Sequence, residues 1–305
     1  MLNSIIPFIP VAMPFIILFF VWFFLFLIRR HYRRKGLRLP FTNRFLRSPG
    51  QSLIEEIEVI NEKLTEYMMF VLFFPTAGYA MFIPYLYVPW GEVTSSDLGI
   101  AGGVMSVAMV FCLYRIYGLL GRRRLLRLGY DGEVAVGQEL NQLLRDGYFV
   151  YHDFPADRFN IDHIAVGRKG IFAIETKARS KPASNQRQTA ATVEYNGRML
   201  QFPKHTDTQI VEQAKRRAKW LSTLISSAIG EDVAARAIVA LPGWFVKRTS
   251  PDGIPVVNPR QFTSLFEHIG PRELSDKMIR RIVFQIEQKC RNVDPVSSIC
   301  EEEKS

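Results

Sequence analysis

Asn160-Ile161-Asp162-His163-Ile164-Ala165-Val166-Gly167-Arg168-Lys169-Gly170-Ile171-Phe172-Ala173-Ile174-Glu175-Thr176-Lys177 is the stretch that decides the fold. Two short apolar runs, Ile161 to Val166 and Ile171 to Ala178, flank Gly167-Arg168-Lys169-Gly170, a pattern that predicts a β-hairpin with a four-residue connection. Side chains alternate along a strand, so Ala173, Glu175 and Lys177 share one face while Phe172, Ile174 and Thr176 share the other. A turn at 167–170 sets Asp162 directly opposite Glu175. Opposed Cβ atoms lie about 4.5–5.5 Å apart, and like charges there destabilise a sheet. The sequence therefore predicts something cationic between them.

On either side of this hairpin the pattern is that of an α/β domain over residues 121–290, with 291–305 as a tail. Glu133 to Arg145 reads as a helix with Val136, Leu140, Leu143 and Leu144 as its apolar face, ended by Gly147. Tyr148 to Phe154 reads as a strand. Downstream, Thr192 to Tyr195 and Arg198 to Phe202 form a second hairpin turning at Asn196-Gly197. It lies in a long polar insertion, Lys181 to His205, that covers or gates the site. Thr208 to Ser227 is a helix, Ala235 to Leu241 an apolar strand, Ile254 to Val257 a short strand, and Pro259 to Ile269 and Ser275 to Gln288 further helices. The order αβββαβ suits a mixed sheet flanked by helices. Phe149, Tyr151, Phe154, Phe172 and Trp220 read as core.

Two carboxylates without His or Cys make a hard oxygen site suited to Mg²⁺ or Mn²⁺. Lys177 beside them is placed to orient water or to neutralise charge on a phosphate. Glu133 continues the inward stripe of its helix at the first turn, where the helix dipole also favours a carboxylate. His163 points to the opposite strand face and reads as a packed histidine. The order helix-Glu, strand-Asp, turn, strand-Glu-x-Lys resembles the PD-(D/E)xK nuclease superfamily. More narrowly, Gly132-Glu133-x-x-Val136-Gly137-x-Glu139-Leu140, the 160–167 strand and the 170–177 strand look like the nuclease-related domain (NERD) family, with Gln213 similar to a Gln that family places after its sheet. The resemblance implies a restriction-endonuclease-like αβββαβ fold and a phosphodiesterase using Mg²⁺ or Mn²⁺. It makes Glu133, Asp162, Glu175 and Lys177 the matched catalytic positions, with Gln213 auxiliary and Asp162, Glu175 and Glu133 as metal positions. Lys215 and Arg216, with Arg217 and Lys219 on the same helix, read either as phosphate contacts or as a solvated face. Arg168 and Lys169, at the hairpin tip and expected near the site, are further candidates for nucleic-acid contact.

The first part of the chain excludes a plain soluble enzyme. Residues 4–28, 68–91 and 98–114 contain no Asp, Glu, Lys or Arg, and each is near the roughly 17–25 residues that a membrane-spanning helix needs. We expect span 1 within 1–28, a basic loop and an amphipathic helix over 29–67 (Ile54, Ile57, Ile60 or Val59, and Leu64 as its stripe) that lies at the membrane face or packs on the α/β domain or on another copy, and a transmembrane hairpin over 68–120 with spans 68–91 and 98–118. The net charge of +10 over 305 residues is concentrated beside these spans: residues 1–54 hold eight Arg or Lys and no acid. Arg29, Arg30, Arg33, Arg34, Lys35 and Arg38 follow the first span; Arg115 follows the charge-free run 98–114 in the last turn of the third span, and Arg122, Arg123, Arg124 and Arg127 come after it. By the positive-inside rule this places the N-terminus outside and the α/β domain in the cytoplasm. Charge after the apolar core, rather than before it, argues against a cleavable signal peptide. Cys112, Cys290 and Cys300 have no metal-ligand spacing and suit a reduced compartment.

The expected function is thus a membrane-anchored, cytoplasm-facing nuclease, acting on DNA ahead of RNA, in a bilayer that we take to be a bacterial inner membrane. A homo-oligomer is a further expectation, and an organic cofactor is not. The alternatives are a non-catalytic nucleic-acid-binding or sensing module on the same anchor, or a membrane assembly protein.

Overall fold

A computed structural model describes residues 19–20, 23–24, 26–27, 43–87, 95–181, 191–269 and 274–294. The expected first span and the basic cluster 29–38 lie almost wholly outside the described residues. The chain divides into two compact units, residues 1–40 with 58–124, and residues 41–57 with 125–305.

In the second unit, a five-stranded sheet is built from β2 (Phe149–Pro155), β3 (Asn160–Gly167), β4 (Gly170–Thr176), β8 (Ala235–Ala240) and β10 (Val256–Val257). Its order is β10-β8-β4-β3-β2. The first three strands in sequence are antiparallel neighbours, whereas β8 lies parallel to β4 and β10 parallel to β8. This is the mixed sheet expected from αβββαβ. The register between β3 and β4 runs from Gly167↔Gly170 to His163↔Ile174, as the four-residue turn requires.

Each face of the sheet buries its own cluster. On one, Ile171 and Ala173 pack with Ile210, Ala214, Ala218 and Leu221 of α3 (Gln209–Ile229) and with Ile279, Ile282 and Ile286 of α5 (Asp276–Cys290). On the other, Phe172 and Ile174 pack with Val136 and Leu140 of α2 (Ser95–Leu140) and with Phe262 and Phe266 of α4 (Phe262–His268). Tyr151, Phe154 and Phe172 are buried and Trp220 is partly so, but Phe149 is 44% exposed because it opens β2 at the sheet edge.

Several expectations change in detail. The helix expected at 133–145 is the last part of α2, a continuous helix of 46 residues that closes in a 3₁₀ turn, Asn141–Asp146, capped by Gly147 in the left-handed region. Between 119 and 132 the only breakers are glycines, each costing about 1 kcal/mol in a helix interior. The 52–67 helix likewise continues, as α1 (Gln51–Tyr87). The described part of the insertion is built into the domain. Its hairpin, β5 (Thr192–Tyr195) and β6 (Leu200–Gln201), joins β7 (Thr206–Asp207) and β9 (Phe245–Arg248) in a second sheet, and Val193, Tyr195, Leu200 and Phe202 belong to the core.

Residues 41–57, expected to belong to the membrane-side region, are part of this unit. β1 (Phe45–Leu46) pairs antiparallel with β11 (Arg291–Val293), which begins the expected tail. Asp153 in β2 accepts from Arg47 Nε and Nη2 at 2.9 and 2.6 Å, from Ser52 N and Oγ at 2.7 and 2.8 Å, and from Asn160 Nδ2 at 2.9 Å.

In the first unit, Ile60, Leu64 and Cys112 are buried, and Arg115 lies over the Tyr67 ring at 5.7 Å. A Cβ on Gly78 would sit 3.0 Å from Met105 Cε, so a glycine there lets the helices approach. Among the described residues, one helix, Gly99–Asp146 with its terminal 3₁₀ turn, is long and apolar enough to cross a membrane.

Candidate active site

The site gathers where β4 ends. Glu175 is buried on the face covered by α3. Asp162, one position beyond the last ladder pair of β3, is held by the backbone: its Oδ2 accepts from Thr176 N at 2.7 Å. Lys177 follows the strand, fixed by its N–H to Ala240 O at 3.0 Å. Its Nζ lies 2.8 Å from Glu175 Oε1, and its side chain remains 26% exposed. That contact is ionic only, so Oε1 still lacks a well-aligned hydrogen-bond donor.

The cation expected between the carboxylates is Arg217 of α3. Its Nη1 donates to Asp162 Oδ1 at 2.9 Å and also to Glu175 Oε2. Burial and the Glu175 charge push the Asp162 carboxyl up to about 7, against the opposing effects of Arg217, the Thr176 N–H and Lys177. Arg217 was legible in a way the sequence reading passed over. It falls in the series Ile210, Ala214, Arg217, Leu221, spaced four, three and four residues apart, which is the buried stripe of its helix.

Glu133 reaches the same region from α2. Burial, with the Asp162, Asp153 and Glu175 charges, raises its carboxyl to about 9, and its buried Oε2 has no hydrogen-bond partner. Gly132 permits the approach, since a Cβ there would come within 2.5 Å of Ala178 Cβ. Among the described residues, no three His, Cys, Asp or Glu side chains converge as a metal-binding group. Glu133 is thus close enough to feel the pair without completing a three-carboxylate cluster. In donor type, Asp162 and Glu175 fit an ion that takes one or two carboxylates and completes its shell with water and phosphate oxygens. Arg217 Nη1 occupies the point between them.

Gln213 is half-buried and one helical turn from Arg217, so the two share a face of α3. Lys215 and Arg216 are exposed, and Lys215 pairs with Glu212 at 2.9 Å. The hairpin tip is not beside the carboxylates. Five residues separate Gly170 from Glu175, roughly 17 Å along a strand. There Lys169 Nζ donates to the carbonyls of Phe266 and Glu267 at 2.9 and 2.6 Å, and Arg168 pairs with Asp276 at 3.2 Å. Both residues tie the turn to neighbouring elements.

His163 is buried, as its strand face implies. Its Nδ1 lies 2.8 Å from His152 Nδ1 and its Nε2 3.2 Å from Thr176 Oγ1. Burial lowers His152 to about 4 and His163 well below its ordinary value, so the pair is neutral and in complementary tautomers at pH 7. The His152 partnership and the Asp153 cluster were missed by sequence reasoning. Arg47 and Asp153 are 106 positions apart, and no local pattern joins them.

An α/β domain with a buried Asp-Glu pair and a Lys at the end of a central strand has the arrangement of a nuclease-like fold. Residues 128–242 match the family described as nuclease-related domain, NERD, a span that includes Glu133, Asp162, Glu175, Lys177, Gln213 and Arg217. No curated protein and no solved structure matches the chain.

Proposed function

We propose that this chain is a membrane-anchored nuclease that hydrolyses phosphodiester bonds, DNA ahead of RNA, at Asp162, Glu175 and Lys177. The observation that carries the reading is the buried Asp162–Glu175 pair meeting Lys177 at the end of β4, inside the segment similar to nuclease-related domains. A divalent ion held by Asp162 and Glu175, Mg²⁺ or Mn²⁺, would supply Lewis acidity at the scissile phosphate and a more acidic water. In the reaction, water forms a new P–O bond as the old ester P–O bond breaks, the attacking water losing a proton to solvent and the leaving oxygen taking one up from it. Lys177, the most exposed cation of the cluster, stabilises charge growing on the phosphate oxygens. Glu133 stays protonated near neutral pH and supplies a hydrogen-bond donor at the edge of the site, while Gln213 orients the strand or the water.

For the anchor we propose spans over 4–28, 68–91 and 98–118; the apolar helix Gly99–Asp146 supports the third of them. The basic residues after the first and third spans favour a cytoplasmic α/β domain, and a bacterial inner membrane suits that topology.

The test uses the full chain in detergent with labelled single- and double-stranded DNA and RNA, in Mg²⁺ or Mn²⁺ against EDTA. Metal-dependent products that vanish in Asp162→Ala and Lys177→Ala support the nuclease. One observation favours a second reading: Arg217 already neutralises the carboxylates, as a binding module that works without metal would require. Binding that survives both substitutions and EDTA, with no cleavage by the wild type, selects that module.

A further inference from the structure

The following rests on the metal-dependent reading of Asp162 and Glu175. We propose that Arg217 is the resident counter-ion of this pair, that a divalent ion enters only by displacing it, and that the displaced guanidinium then binds the phosphate of the strand being cut.

The geometry gives the first step. One nitrogen, Arg217 Nη1, bonds a carboxylate oxygen of each residue, and an ion held by these two carboxylates would compete with that nitrogen for them. Two buried carboxylates side by side without a cation repel each other and resist ionisation. Leaving a buried charge uncompensated is costly, so Arg217 preserves the strand end when no metal is bound. It can do so because it stands on the inward stripe of α3, between Ala214 and Leu221, which are both buried.

The second step follows from where the side chain can go. Arg217 is 15% exposed, and its Cζ lies 5.6 Å from the centroid of the Phe159 ring, just before β3. An aromatic face at this distance already stabilises the cation, and the guanidinium can withdraw along it without leaving the mouth of the site. There its planar donors suit a phosphate, which presents two oxygens to a bidentate fork. Metal and strand then help each other: the phosphate holds the arginine that the ion has expelled. Such coupling is reciprocal. Metal alone binds weakly, because it must first break the arginine pair.

Mn²⁺ binding to the full chain in detergent, read from the electron paramagnetic resonance of free Mn²⁺, tests this without any cleavage. Arg217→Gln should bind Mn²⁺ at least about tenfold more tightly than the wild type, and Arg217→Lys, which keeps the charge but not the fork, should fall between. In EDTA, Arg217→Gln should melt lower than the wild type, and Mn²⁺ should restore it. A nuclease-resistant phosphorothioate DNA, with intactness checked after the reading and its own Mn²⁺ uptake subtracted, should tighten Mn²⁺ binding to the wild type but not to Arg217→Gln. Equal or weaker Mn²⁺ binding by Arg217→Gln overturns the counter-ion role. An equal effect of the oligonucleotide on both proteins, or none on either, overturns the phosphate step. Wild type and Arg217→Gln that both fail to bind Mn²⁺, or bind it as Asp162→Asn does, overturn the metal reading itself, an outcome distinct from the first two.

Discussion

Glu133, Asp162, Glu175, Lys177 and Arg217 place three acids against two cations in a small, largely dry volume, and their protonation follows from that imbalance. Glu133 has the least support: its Oε2 is buried without a partner and its carboxyl is raised from 4.5 to about 9. The unfolded chain loses this proton near 4.5, while the folded chain keeps it to about 9. Folding therefore takes up a proton between those values, and stability falls as pH rises through that window. Glu133→Gln keeps the shape and removes the titration. In EDTA it should stabilise the protein by about 2 kcal/mol or more at pH 8 and by almost nothing at pH 4, measured by thermal melts of the full chain at both pH values. An equal shift at both would mean that packing, not ionisation, is responsible. The opposite slope belongs to the histidines. His152 and His163 have folded values below 6.5, so their contribution is present above 6.5 and is lost as pH falls toward 4. A melt of His163→Asn should show a weaker acid limb than the wild type. Lys177→Ala answers a different question. The side chain is partly exposed and Glu175 keeps Arg217 as a second partner, so the melting point should fall less than for a buried cation, while hydrolysis by the proposed nuclease should fall by about 10²–10³-fold, the usual cost of losing one donor to developing charge.

Among the elements, the approach of α2 to the end of β4 controls whether Glu133 reaches the site. Gly132 would place a Cβ 2.5 Å from Ala178 Cβ, and neither atom belongs to a flexible side chain. Gly132→Ala must move a backbone, so we expect a loss of about 1–3 kcal/mol. Because the shift draws Glu133 away from Asp162 and Glu175, the alkaline loss of stability should also shrink, which a pH series of melts on the variant will show. This contact also marks how much was legible. The β3–β4 hairpin, its register and the opposition of Asp162 to Glu175 were readable because turn length and strand alternation are local rules. The Arg217 bridge was anticipated as a charge and missed as a residue, although its place on the buried stripe of α3 signalled it. The second sheet was half-read. Asn196-Gly197 announced β5 and β6, but β5 lies parallel to β9, and a parallel partner some fifty positions away leaves no periodic trace. The continuity of α2 was hidden by the glycines at 118, 121, 129 and 132, which look like boundaries but only tax a helix.

For the whole chain, the second unit is assembled from two separated parts of the sequence. Residues 41–57 supply β1, which pairs with β11, and Arg47 and Ser52, which supply four of the five donors to Asp153. Asp153 itself has φ +47°, a conformation that Asp tolerates better than most residues and that turns its carboxylate toward these donors. The Asp153 side chain is almost wholly buried and Arg47 nearly so, so removing the arginine leaves an under-paired charge inside the protein. Arg47→Ala should therefore destabilise the domain by about 3 kcal/mol, with no direct contact to Asp162 or Glu175. A chain cut to residues 121–305 loses Arg47, Ser52 and β1 together, and it should melt lower than the full chain and expose β2 and β11 to proteolysis. The two effects share a cause, which a double comparison can verify. Asp153→Asn, which removes the charge that those donors compensate, should destabilise the full chain strongly but add little further loss to the 121–305 fragment. Additive losses would show that 41–57 supports the domain through β1 alone. Agreement with the non-additive result would explain a property of the proposed anchor: the segment that follows the first expected span is also a structural part of the domain, so the chain cannot be cut at residue 120 without cost to the domain's stability.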